Sequence, residues 1–249
     1  MFFNKFPTTN YRFGDELGTT LFNNLSVYAD IIDQLKDQIT FYEKYTILDG
    51  DRPDITSQKL YGSPDYHWTF FLINDSLRES GWPMPERELR ALVKGRYPHR
   101  TVTSESIFAH NFLPGTFVTG KTSGTTGKVV ERNLDLGQIV IASDRNEAGL
   151  NNNFGQTEQI AAGTTALEQA SNTIIATAES VQYDSVLHYK NSSGDIVDID
   201  PYNQSTAGLT PTTIMEDHID FNDNLKRIKV IKPSQIAAIT NEFFQLLSE

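Results

Sequence analysis

The stretch Gly115-Thr116-Phe117-Val118-Thr119-Gly120-Lys121-Thr122 fits the phosphate-loop pattern G-x-x-x-x-G-K-[ST] letter for letter. Such a loop takes nucleotide when a buried strand leads into it and a helix starts at the lysine, so that backbone N–H groups converge on phosphate. The flanks do not suit that role. Phe108 to Leu113 makes a poor strand, and Phe117 and Val118 read as strand rather than bare loop. Ser123-Gly124-Thr125-Thr126-Gly127 would break a helix at once. The expected structure is a β-hairpin, with no nucleotide or other cofactor.

Asp49, Asp51 and Asp54 suggest a calcium loop, but that pattern needs an oxygen ligand at 53 and glycine at 54, where Pro53 and Asp54 stand. A turn followed by a helix capped by Asp51 is the better account. The five histidines, His67, His99, His110, His188 and His218, do not fall at metal-ligand spacing, so no metal is expected. There is no G-x-S-x-G elbow. Carboxylate pairs such as Glu86/Glu88 or Asp198/Asp200 arise by chance among 32 acids and say little about hydrolysis. No catalytic residue emerges, and no enzymatic activity is expected. Tyr61, Trp68 and Trp82 could stack on sugar rings, while helical spacing makes Tyr61 and Trp68 the core of their own module.

The elements that carry these residues centre on Tyr45 to Asn74. Tyr45-Thr46-Ile47-Leu48 reads as a strand, and Asp49-Gly50-Asp51 as a turn. Pro53 opens a helix in which Ile55, Leu60 and Tyr61 recur at helical spacing, and Gly62 ends it. Ser63-Pro64-Asp65 starts a second helix with Trp68, Phe71 and Leu72 as its buried stripe.

Before this lies an aromatic, glycine-punctuated arm that includes Phe2, Phe3, Phe6, Tyr11 and Phe13, then a short helix near 29–37. After it, a helix runs from Pro85-Glu86 to about Lys94, with Leu89, Leu92 and Val93 apolar and Gly95 as its stop. Short β-type runs at 115–119, 128–131 and 138–141 predict a small antiparallel barrel or sandwich. Residues 164–178 fit either a helix or a strand, and a last barrel strand is expected near 173–178. Val186 to Asp198 reads as a hairpin with a polar turn, and 200–223 as mostly loop. Lys226 to Ile231 alternates as a strand with one wet face. A final helix capped by Ser234 carries Ile236, Ile239, Phe243, Phe244, Leu246 and Leu247, a stripe that must dock on another surface.

The expected fold class is α+β: a βαα module at 45–104 behind an arm at 1–44, a small β-barrel or sandwich at 105–180, and a hairpin, strand and docking helix at 181–249. With 249 residues at only 38% hydrophobic, small cores with much loop are expected. The absence of cysteine excludes disulfide scaffolds and thiolate chemistry. A net charge of −11 disfavours nucleic acid and anionic lipid as partners. The one basic run, through Arg87, Arg90, Lys94, Arg96 and Arg100, is either a solvated helix face or a face for an acidic protein. No apolar run suits a signal peptide or a membrane span.

Tyr45-x-Ile47, Gly50-Asp51, Ile55, Lys59-Leu60-Tyr61-Gly62, Trp68 and Asn74, in that order, resemble a LysM module. With Asp51-Arg52-Pro53-Asp54 and the Tyr61-Gly62-Ser63-Pro64 to Trp68 continuation, the chain resembles the LysM-like baseplate wedge subunits of contractile-tailed phages. Tyr183 to Tyr189, Asp200-Pro201-Tyr202-Asn203 and Asn224 to Lys232 resemble the C-terminal end of that family. The likeness covers about half the residues, at both ends, and 105–165 has no counterpart. It implies a structural virion protein made in the host cytoplasm, clamping other wedge and inner-baseplate proteins in six copies per ring. Candidate partner contacts are Phe2, Phe3, Tyr61, Trp68, Trp82, Arg90, Phe243 and Phe244. The same likeness admits a glycan-binding tail module, and a tail-associated hydrolase is the third reading.

Overall fold

The computed structural model describes residues 7–14, 18–23, 41–106, 111–142, 154–200 and 206–246. The helix expected at 29–37, Phe2, Phe3 and the polar loop 146–153 lie outside them. The protein is α+β, with short helices and several small antiparallel sheets. It divides into two compact units, residues 1–86 with 221–249, and residues 87–220.

In the first unit, β1 (Thr8–Tyr11) and β2 (Thr20–Asn23) form an antiparallel hairpin running from Thr8↔Asn23 to Tyr11↔Thr20. The strand expected at 45–48 sits earlier, as β3 (Tyr42–Thr46), with Ile47 buried just beyond its end. Pro53 opens α1 (Pro53–Tyr61), where its missing N–H costs nothing. The N-cap is Arg52, with no side-chain cap, so Asp51 does not cap this helix; its carboxylate pairs with Lys59 Nζ at 2.5 Å. Ile55 is exposed, and α1 instead buries Thr56 and Ser57, the latter donating to the Ser63 carbonyl at 2.6 Å. Gly62 ends the helix at φ +72°, a conformation that favours glycine.

A 3-10 turn over Pro64–Tyr66 precedes α2 (Trp68–Ile73). This helix is covered on two sides, Leu72 and Ile73 by Ile231, Ile236 and Phe243, and Phe70 by Ile47, Leu225 and Ile228. Its buried residues are therefore Thr69, Phe70, Leu72 and Ile73, with Trp68 and Phe71 only partly covered. Next, α3 (Asp75–Ser80) buries Leu77.

α4 (Glu86–Arg96) buries Leu89 and Val93, leaves Leu92 50% exposed, and contains Gly95 rather than ending at it. The barrel follows. Its strands are β4 (Arg100–Thr103), β5 (Phe117–Gly120), β6 (Thr126–Asn133), β7 (Gln138–Ile141) and β8 (Gln159–Ala162). After α5 (Ala166–Ser171), which carries a Thr165/Glu168 capping box, come β9 (Thr173–Ile175) and β10 (Ala178–Val181). The ambiguous 164–178 segment is thus a helix and a strand in succession. The sheet order is β10-β4-β7-β6-β5-β8-β9. Because β9 pairs with β8 and β10 pairs with β4 along one continuous segment, the sheet closes on itself. Ala176 N–H to Glu158 O and Thr177 N–H to Thr103 O mark where that segment changes edge. Val102, Phe112, Val118, Val129, Ile139, Ile141, Phe154, Ile160 and Ile174 fill the interior. Closure removes the open edges that a flat sheet of this size would present.

β11 (Val186–Lys190) pairs with β12 (Ile196–Val197) as the expected hairpin, and also with β13 (Thr210–Thr213). The stretch read as mostly loop holds β13 and α6 (Ile214–Leu225). Thr213 and Glu216 start that helix: Glu216 N–H donates to Thr213 Oγ1, and Thr213 N–H to Glu216 Oε2.

The chain then returns to the first unit. β14 (Arg227–Ile231) pairs antiparallel with β3, from Arg227↔Thr46 to Ile231↔Tyr42. α7 (Ile236–Leu246) packs Ile236, Ile239 and Phe243 on Leu72, Ile73 and Ile231. A second cluster joins Ile47, Phe70, Leu77, Leu225, Ile228 and Val230. The two-stranded sheet with α1 and α2 is therefore completed by a strand about 180 positions downstream of its first partner.

Candidate partner-binding site

The phosphate-loop sequence runs along β5 and ends in the turn that leads to β6. Its amides are all engaged internally. Gly120 N–H donates to Thr125 O, Lys121 N–H to Gln159 O, and Gly124 N–H to Gly120 O. Thr122 and Ser123 N–H both donate to Glu158 Oε1, at 2.7 and 2.5 Å, and Thr125 N–H to Ser123 Oγ. Gly155 N–H fills Glu158 Oε2 at 2.6 Å. Burial raises the Glu158 carboxyl, which is only 4% exposed, but the N–H groups of Ser123, Gly155 and Thr122 outweigh it and hold the carboxyl below its usual range. The strand-turn-strand geometry and a protein carboxylate on the converging amides replace the helix start that phosphate would need.

The three aspartates near Pro53 are likewise engaged. Asp49 accepts Glu86 N–H and pairs with Lys226 Nζ, Asp51 holds Lys59, and Asp54 holds Arg52. Among the described residues, no group of three or more His, Asp or Glu is placed to hold a metal ion.

The aromatic candidates turn inward. Tyr61 donates its hydroxyl to the Ile231 carbonyl at 3.0 Å and stacks on Phe70, and burial pushes its phenol well above the usual range. Trp82 donates Nε1 to the Asp51 carbonyl at 2.6 Å and lies against Phe70 and Phe71. Trp68 packs on Phe243 and Phe244, at 5.0 and 5.5 Å between ring centroids. Phe243 is 0% exposed, which removes it from any partner-facing surface; the terminal helix docks on its own module instead. Phe244 is half-buried beside it. Among the described candidates only Arg90 is exposed, on α4 with Arg87, Lys94 and Arg96.

The outward aromatic cluster lies elsewhere, on the N-terminal hairpin. Tyr11, Phe13 and Phe22 are 55%, 50% and 43% exposed, and Leu21 is exposed beside them. Their rings meet edge to face, with centroids 5.0 Å apart for Tyr11–Phe13 and 5.5 Å for Phe13–Phe22. Every residue of β1 is exposed. An isolated two-stranded hairpin is at best marginally stable in water, and clustered exposed aromatics are characteristic of interaction surfaces. In the sequence, Tyr11 and Phe13 belong to the expected arm, whose candidate partner contacts are Phe2 and Phe3. Phe22 was missed, because its proximity depends on the β1–β2 register.

No protein-family model matches this chain, and no curated protein matches it.

Proposed function

We propose that the chain is a structural subunit of a contractile phage tail baseplate wedge, clamping neighbouring wedge proteins together. The resemblance at both ends of the sequence supplies the class. The observation that carries the docking role is the exposed ring cluster of Tyr11, Phe13 and Phe22 on a hairpin that needs a partner surface to be stable. The internal engagement of Tyr61, Trp68 and Trp82 also favours this reading over a glycan-binding module, since those rings are spent on the core.

A photo-crosslinking phenylalanine analogue at Phe13 tests it in assembled tails. The expected result is covalent capture of another wedge or inner-baseplate protein. Absence of any capture, together with binding of chitooligosaccharides by the purified chain, would instead favour the glycan-binding reading.

A further inference from the structure

We propose that the Gly120–Thr125 turn is an anion nest whose ligand is the chain's own Glu158 carboxylate, and that a small free carboxylate can take its place when that side chain is removed. The geometry resembles an anion site in each respect. Thr122 and Ser123 N–H converge on one oxygen at 2.7 and 2.5 Å, and Gly155 N–H meets the other at 2.6 Å. Successive backbone amides of this kind form concave sites for anionic oxygens.

The backbone on both sides is shaped to the carboxylate. A Cβ on Gly120 would lie 2.6 Å from Glu158 Oε1, so only glycine lets the carboxylate come this close. Thr157, next to Glu158, holds φ +63°, a conformation that is costly for a threonine and is kept where surrounding contacts over-determine it. A surface cavity of about 210 Å³ lined by Thr122, Ser123, Gly155, Gln156, Thr157 and Glu158 opens onto the nest and provides entry for a small ion.

The role assigned to Gly120, Thr122 and Ser123 follows from this. Gly120 and Thr122, which match a nucleotide-binding loop, serve with the following Ser123 to tie the β5–β6 turn to the start of β8 from within. Losing the carboxylate leaves three N–H groups without their acceptor in a crowded turn.

Chemical rescue of the full-length protein tests the proposal. Glu158→Gly should lower the thermal midpoint by at least about 5 °C in chloride. Formate or acetate at matched ionic strength should recover a substantial part of that loss, and should restore exchange protection at the Thr122, Ser123 and Gly155 amides. The wild type should show no such anion response and no stabilisation by magnesium ATP. Glu158→Gln should lose stability without rescue, because its amide still fills the space. If Glu158→Gly does not fold in chloride, its refolding yield in acetate against chloride is the readout, and equal yields overturn the proposal. An undiminished midpoint in Glu158→Gly, a loss that no small carboxylate repairs, or stabilisation of the wild type by nucleotide would also overturn it.

Discussion

The side chain of Asn74 pairs with the backbone of Lys229 as a second strand would. Lys229 N–H donates to Asn74 Oδ1 at 2.8 Å, and Asn74 Nδ2 donates to the Lys229 carbonyl at 2.9 Å and to Phe70 O at 2.8 Å. A buried amide between α2 and α3 thus ties the helices to β14, whose other edge is already bonded to β3. Asn222 does the same for Met84, accepting its N–H and donating to its carbonyl. Asn74→Ala should cost about 2–3 kcal/mol, since buried backbone groups lose their partners. Asn74→Asp should be no better, because a carboxylate cannot donate to Lys229 O. Urea unfolding followed by tryptophan fluorescence, with Trp68 and Trp82 both in this unit, measures each loss.

Phe243 sits wholly inside the cluster formed by Leu72, Ile73, Ile231, Ile236 and Ile239, against Trp68. Phe243→Ala should destabilise that unit by about 3–5 kcal/mol through lost burial and the cavity left behind. Phe243→Asp should unfold the 45–80 region rather than leave it intact, because an unpaired charge has no water there. Near-ultraviolet dichroism and the Trp68 emission maximum separate an unfolded module from a folded one that has merely lost a surface contact.

Glu158 predicts the acid behaviour of the barrel. Its folded carboxyl is held below its unfolded value, so its contribution is fully present above the unfolded value of about 4.3 and disappears as pH falls through the lower folded value. Between pH 5 and pH 2 the wild type should therefore lose stability more steeply than Glu158→Gln, whose midpoint starts lower but lacks this proton linkage. Thermal midpoints of the two proteins across that range, read on the barrel's β-sheet dichroism, should converge toward the acid end. Parallel curves would assign the linkage to other carboxylates.

The sequence expressed local geometry well wherever a residue type forces the backbone. Gly62 ends α1, Pro53 starts it, and the alternation of Ile228 and Val230 with Arg227 and Lys229 sets the wet and dry faces of β14. It expressed poorly what depends on distant pairing. Nothing local at Tyr42 says that it pairs with Ile231, and β3 starts three residues before the strand expected from Tyr45. The Thr213/Glu216 capping signal was present, yet Pro211 and the run of polar residues before it masked β13 and α6. Trp68 and Phe71 look like part of a single buried stripe, whereas α2 lies between two clusters and buries Phe70 in one and Leu72 and Ile73 in the other. Of the candidate site, the arm was legible through its aromatics. The meeting of Phe22 with Phe13 was not, since it requires the register Phe22↔Thr9.

Incorporation into tails tests the structural-subunit account most directly. Tyr11→Ser, Phe13→Ser and Phe22→Ser combined should cost the purified protein about 1–3 kcal/mol, the worth of their edge-to-face contacts, and leave it folded. Phage lacking a working copy of this gene, complemented with either form, can be scored by mass spectrometry of purified tail particles. The account predicts the wild-type chain in stoichiometric amount in baseplates, and the folded triple variant absent from them with baseplate assembly arrested. A wild-type chain missing from tails, or a variant incorporated as well as the wild type, would contradict it.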